Sequence, residues 1–339
     1  MSGRTRSAAA AVAGLLLSVA AWAADTGALP VWPAPPERAR VRFVRSFSSA
    51  EDLGLQKGFL AKLKDFLFGA EDSRLRRPMA VAVDGDVVFV ADPDAGGVHR
   101  FDTAGGDYAL IGGPDDAPLP SPVGLARGAD GEIYVADSVL AQVLVIARGA
   151  RHAVPLAFDA PPAQPTGIAF DASGGRLYVT DTANHRIEVF DRAGKHLQRI
   201  GKRGTGDGEF NFPTYLWLAS PHRLYATDSL NYRIEVFDAG GRFLGKLGRQ
   251  GNGTGAAARP KGVATDRQGH IYVVDALFNA VQIFDGDGRL LLPIGQIGQE
   301  RGEFWLPTGI FVDQATGLIY VADSYNRRVQ VLAHVGGDE

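Results

Sequence analysis

The stretch Leu177-Tyr178-Val179-Thr180-Asp181-Thr182-Ala183-Asn184-His185-Arg186-Ile187-Glu188-Val189-Phe190-Asp191 holds two apolar segments separated by a short polar turn. Each segment alternates with a period of two, the pattern of a β-strand. Asn184 between them is a residue type that stabilises turns through its own side chain. Together they read as two adjacent antiparallel strands.

The same strand-and-Asp element recurs six times, as Val88-Phe89-Val90-Ala91-Asp92, Ile133-Tyr134-Val135-Ala136-Asp137, the copy above, Leu224-Tyr225-Ala226-Thr227-Asp228, Ile271-Tyr272-Val273-Val274-Asp275 and Ile319-Tyr320-Val321-Ala322-Asp323. The steps between the Asp residues are 45, 44, 47, 47 and 48. Upstream of each copy stands a Pro-x-Gly-like start, at Pro78, Pro122, Pro165, Pro213, Pro260 and Pro307. Downstream comes an alternating strand such as Arg233-Ile234-Glu235-Val236-Phe237-Asp238, which the period of two predicts to be half-buried. A hairpin then follows, as at Asp191–Gly194, Asp238–Gly241 and Asp285–Gly288, where Gly supplies a positive φ. Each unit is therefore read as a four-stranded antiparallel sheet, and a period near 45 residues is that of a propeller blade. The fold class is all-β, a six-bladed β-propeller with blades starting near residues 78, 122, 165, 213, 260 and 307.

The pieces Pro-x-Gly-Ile-Ala, Leu-Tyr-Val-x-Asp-Thr-x-Asn-x-Arg-Ile and Val-Phe-Asp, spread over Pro78 to Leu332, resemble NHL repeats. Blades three, four and six match best. The turns after Asp92, Asp137 and Asp275 lack the repeat's Arg. The resemblance implies a ring-shaped scaffold. Related propellers include a peptide-amidating lyase that uses metal and histidine ligands, sugar lactonases, and RNA- or protein-binding modules, and none of their site patterns can be placed residue by residue on this chain.

The sixth unit stops after its third strand, at Val329-Gln330-Val331-Leu332. Far upstream, Arg40–Phe47 alternates like the outer strands and is expected to supply the missing one, which closes the ring and removes exposed sheet edges. The single propeller thus spans 40–335. Residues 24–39 are proline-rich and read as extended, a linker or a segment lying against the propeller surface. Residues 1–23 carry Arg4 and Arg6, an apolar run and Ala21-Trp22-Ala23, the signature of a cleaved signal peptide, so the chain is expected to be exported, periplasmic or extracellular. An insertion at 51–70 places Phe59, Leu63 and Phe66 at helical spacing. It reads as an amphipathic helix that packs on the propeller, or as a lid, a partner helix or a contact with a membrane surface.

Composition excludes some chemistry. The chain has 35 Lys and Arg against 38 Asp and Glu, which disfavours a general nucleic-acid binder. With no Cys there are no disulfides, thiolate metal sites or cysteine nucleophiles. The seven His show no HxH or HExxH spacing, so no metal ligand set is assigned and no cofactor is predicted, although a divalent metal held between blades stays open. Asp285-Gly286-Asp287-Gly288 fits a hairpin better than a calcium loop. The repeated Asp residues are expected to accept hydrogen bonds from the turns that follow them.

What remains is the face where the second-to-third turns and the blade-to-blade connections emerge, because loops carry most functional groups. The expected mouth comprises His185, Arg186, Tyr232, Arg233, Tyr325, Arg327 and Arg328, with Thr166, Thr214, Lys261 and Thr308 nearer the channel. Aromatic and Arg anchors suit an interface. The expectation is a monomeric, non-catalytic scaffold that binds a protein, a peptide or a small anionic ligand. The alternative is a metal-dependent hydrolase or lyase, lactonase-like or amidating-lyase-like, with its site in the central channel.

Overall fold

The computed structural model describes residues 28–55, 72–113, 117–251, 253 and 255–335. These residues form six antiparallel sheets, five of four strands and one of five. Blade three shows the plan: Pro165–Asp171 is innermost, followed outward by Arg176–Asp181, Arg186–Asp191 and His196–Ile200. Its two middle strands pair Leu177 with Phe190, Val179 with Glu188 and Asp181 with Arg186.

Alternation in these strands separates one neighbouring blade from the other. Leu177, Val179 and Phe190 pack with Tyr134, Ala136 and Val143 of blade two. Tyr178, Ile187 and Val189 pack with Leu224, Ala226 and Phe237 of blade four. The third strand is consequently buried almost throughout, where its alternation alone predicts a half-buried strand. Half-burial occurs one strand further out, in Phe243–Leu247 and Leu290–Ile294, whose outer side has no neighbour. Burying one large aromatic side chain contributes about 1.5–3 kcal/mol, and fully buried Tyr178, Phe190 and Phe237 stand in for the absent disulfides.

The ring closes between the chain ends. Val41–Phe47 pairs antiparallel with Arg328–His334, Val41 opposite His334 and Phe47 opposite Val329. The expected linker contributes more than spacing: Val31–Trp32 adds a fifth strand on Val41 and Arg42. Trp32 explains why. Its ring lies where a Cβ on Gly302 would fall, 2.6 Å away, and Gly302 has φ +79, so glycine is needed there on both counts. The segment thus gains an apolar seat that its proline content does not suggest.

Of the insertion, Glu51–Leu53 forms one 3-10 turn, and Leu55 and Leu75 join the core under blade one. The remainder of the expected helix, with Phe59, Leu63 and Phe66, and the expected signal segment 1–23 lie outside the described residues. Among the described residues, no helix is long and apolar enough to cross a membrane. The segment Asp285–Gly288 is a hairpin turn in which Asp285 accepts the amides of Asp287 and Arg289.

Candidate functional site

The six Asp residues at the ends of the second strands stand on the upper face, and each is held by backbone amides. Asp92 accepts from Arg76 and Arg77, Asp137 from Ser121, Asp181 from Gln164, Asp228 from Asn211, Asp275 from Ala258 and Arg259, and Asp323 from Trp305. The carboxylate therefore ties the incoming connection of a blade to its own second strand. The other oxygen holds the turn that follows. In blades three, four and six the donor is the Nδ2 of Asn184, Asn231 or Asn326. In blades one, two and five backbone amides such as Ala95, Leu140 and Phe278 do the same. Burial pushes the carboxyls of Asp228 and Asp323 above their ordinary range, against the pull of these donors.

The repeat's Arg is consumed in the same network. Arg233 donates to Asp228 and to the carbonyls of Thr205, Gly206 and Glu209. Arg328 donates to Asp323 and to the carbonyls of Gln299, Glu300 and Glu303. Arg186 is engaged by Glu188. His185 is buried, with its Nδ1 accepting the amide of Phe212 at 3.1 Å and its ring against that of Phe212. These four expected mouth residues stand at the upper face, yet the fold already employs their polar atoms. Arg233 and Arg328 suggest free cations because sequence alone does not reveal the connection carbonyls, some 25 residues upstream, that they bind.

The hydroxyls nearer the axis are blade-to-blade pins. Thr166 joins Thr180 and Thr182 and donates to the carbonyl of Thr214; Thr214 joins Ser229; Thr308 joins Ser324, which donates to the carbonyl of Pro78. Lys261 occupies the same rank on the innermost strand of blade five. Its ammonium has no hydrogen bond or carboxylate partner among the described residues. Burial, aided by Arg259, lowers its pKa from the ordinary lysine value.

One residue next to this ring was not expected to matter. Blades two, three, five and six have Gly124, Gly167, Gly262 and Gly309 where a Cβ would strike the backbone of the next blade, at 2.0 Å for Gly124. Blade four has Tyr215 there, and its side chain lines the channel. Trp217 and Phe311 meet edge to face at 5.6 Å lower in the channel. The space left inside is about 40 Å³, and its lining among the described residues contains no His, Asp or Glu. Among the described residues, no group of three or more His, Asp or Glu is arranged to hold a metal.

The upper face also exposes apolar side chains at its turns. The residues two after the Asp, Val139, Leu230, Leu277 and Tyr325, are each more than half exposed. Trp305 stacks obliquely on Tyr325 with ring centroids 5.7 Å apart. Phe212 is also exposed, and Arg327 and half-buried Tyr232 complete the expected set. A repeated Gly-Glu-Phe before Asn211-Phe212 and Trp305-Leu306 is the sequence signal from which Phe212 and Trp305 could have been found.

Residues 163–190 match the NHL repeat family, and residues 264–331 match a family described as a 6-bladed beta-propeller. No curated protein matches the sequence. Among solved structures, a protein of unknown function from Bacteroides thetaiotaomicron is 16% identical, with a TM-score of 0.64 over 87% of this chain and 76% of that one. An auxiliary nutrient binding protein from the same organism is 12% identical, with a TM-score of 0.61 over 77% and 69%. Virginiamycin B lyase from Staphylococcus aureus is 16% identical, with a TM-score of 0.55 over 77% and 96%. At such identities the likeness is one of fold. Repeat matches and sheet topology agree that the chain is a six-bladed β-propeller with an NHL repeat matched at residues 163–190.

Proposed function

We propose that the protein is a non-catalytic binding scaffold whose upper face receives a polypeptide partner that presents a carboxylate to Lys261. The observation that carries this is the combination on the upper face: a largely desolvated cation without a carboxylate partner among the described residues, on the face that exposes Tyr325, Trp305, Leu277 and Leu230. Contiguous apolar surface of this kind is rare on a protein that meets no partner. Aromatic anchors around a charge that must be neutralised are the usual arrangement of an interface centre. An auxiliary nutrient binding protein shares the architecture, in keeping with a binding role for the fold. The amino-terminal Arg4-to-Ala23 pattern supports binding outside the cytoplasm.

A peptide array in which acidic and apolar residues vary independently tests the proposal, probed with the protein and with Lys261→Glu. Retention of peptides that combine a carboxylate with apolar neighbours, lost in the variant, supports it. Equal retention by both proteins, or no selection at all, overturns it.

A further inference from the structure

Between the lower ends of blades five and six, opposite the mouth, the surface opens into a cleft of about 1510 Å³. One wall is the turn after the innermost strand of blade five, with Arg267 and His270. Another is the chain from Glu37 to Arg42, which runs beside a fifth strand that no other sheet of the described residues possesses. Such a volume exceeds that of a small-molecule site, so a ligand and its water both fit.

At its floor lies Asp266, whose side chain is 5% exposed. It accepts Nδ1–H of His270 at 2.8 Å and the Tyr272 hydroxyl at 2.9 Å. That hydroxyl also meets Nε2 of His334, from the last strand of blade six. The proton order follows from the donors available. Tyr272 has one proton and gives it to Asp266, so Nε2 of His334 carries a proton to the phenol oxygen. Burial and the Asp266 charge hold the phenol protonated, well above its ordinary pKa. Both imidazoles are thereby fixed in orientation, and Nε2 of His270 and Nδ1 of His334 have no partner among the described residues.

The charges around them are unbalanced. Arg38, Arg40, Arg42 and Arg267 line the cleft, and none of these guanidinium groups has a carboxylate partner among the described residues. Of the acids on the walls, Asp266 is engaged as above, and Asp313 accepts from Ala315 and Thr316 of its own turn. Glu37 is left as the one acid of the lining outside such bonds, against four Arg. Elsewhere in this fold Arg233 and Arg328 are met by Asp and by loop carbonyls.

We propose that this cleft is a second binding site, for a small ligand bearing an oxyanion group, held by Arg38, Arg40, Arg42 and Arg267 with His270 and His334 as hydrogen-bonding partners. Guanidinium groups bind phosphate and carboxylate through paired N–H donors, and two preset imidazoles supply directional contacts deeper in the cleft. The site is independent of Lys261, which lies on the opposite face.

Calorimetric titration with two probes, inorganic pyrophosphate and citrate, tests it on the full chain, on Arg42→Glu/Arg267→Glu and on the milder Arg42→Gln/Arg267→Gln. Saturable binding weakened about tenfold or more in both pairs of variants is expected, the loss of at least one charge-assisted contact. Proton NMR signals of His270 and His334 should shift on saturation and those of His152 should not. Binding of pyrophosphate alone marks a phosphate ligand, and of citrate alone a carboxylate. No saturable binding of either probe, binding unchanged in both pairs of variants, or binding abolished by Lys261→Glu overturns the proposal.

Discussion

The two faces of the propeller are built on opposite principles. On the upper face the polar residues come in sixes. Asp92, Asp137, Asp181, Asp228, Asp275 and Asp323 each fasten an incoming connection. In the lower cleft Tyr272 is the strand Tyr found also as Tyr134, Tyr178, Tyr225 and Tyr320, and what is particular to this pair of blades is that it and Asp266 meet His270 and His334. A polar group found in every blade answers a need that every blade has, the pairing of buried backbone groups. An arrangement particular to one pair of blades is not explained by that need, and Lys261 and Tyr215 at the mouth belong with the cleft in this respect.

Breaking a repeated position should cost most. Asp228→Ala removes the acceptor of Asn211, Asn231 and the Nε–H of Arg233, while Arg233 keeps Glu235 and three carbonyls, and the lost acceptor should destabilise the protein by about 3 kcal/mol in urea unfolding. Asp266→Ala on the lower face, where His270 and His334 reach solvent and only Tyr272 is buried, should cost distinctly less. Equal losses would erase the contrast between the faces.

The repeated position on the third strand sharpens it. Glu188 in blade three has Arg186, His196 and Arg199 around it. Glu235 in blade four accepts from Gly208 and shares Arg233 with Asp228, and its Oε2 has no hydrogen-bond partner. Burial pushes its carboxyl up to about 7. A carboxyl whose pKa is raised on folding stabilises most when protonated, below about 4.5, and loses that contribution as pH rises through 7. Blades five and six place Gln282 and Gln330 here, bonded to Gly255 and Gly302. Glu235→Gln should therefore gain stability over the parent as pH rises from 5 to 8, by roughly 3 kcal/mol at the upper end. A gap independent of pH in parallel urea titrations would contradict this.

In the cleft, Tyr272→Phe removes one proton donor and should cost about 1 kcal/mol. It should also free His334 to titrate separately, visible as a changed midpoint in its NMR signal. An unchanged midpoint would show that the phenol does not hold the imidazole.

The smallest effect belongs to the turns. The fourth residue after each Asp has a positive φ, at Gly96, Ala141, His185, Tyr232, Asn279 and Arg327. Ala141→Gly should stabilise by about 0.5 kcal/mol, since the left-handed strain outweighs the added freedom of glycine in the unfolded chain. A thermal melt unchanged or lowered would argue against that strain.

Repetition made the fold legible. Six copies of one strand-turn-strand pattern announce six sheets, and the alternation of Arg40–Phe47 matches the strand missing from the sixth. The structural duty of the Asp residues was legible for the same reason. Their second duty, toward the incoming connection, was not, because the partner amides lie about 16 residues upstream in segments of varied sequence. The mouth was legible as a face and illegible in its details: Arg233, Arg328 and His185 were foreseeable as residents of that face, while only packing shows their polar atoms to be occupied.

The sequence by itself determined the number of blades, the order of their strands, the way the ring closes and the face on which the turns gather. All of these depend on local periodicity and spacing. The tertiary structure alone decided that Tyr215 fills the channel, that Trp32 finds a seat over Gly302 and that His334 meets Tyr272, 62 residues away. Contacts of that range depend on how far apart neighbouring blades stand and how each is twisted, and no window of sequence contains both partners.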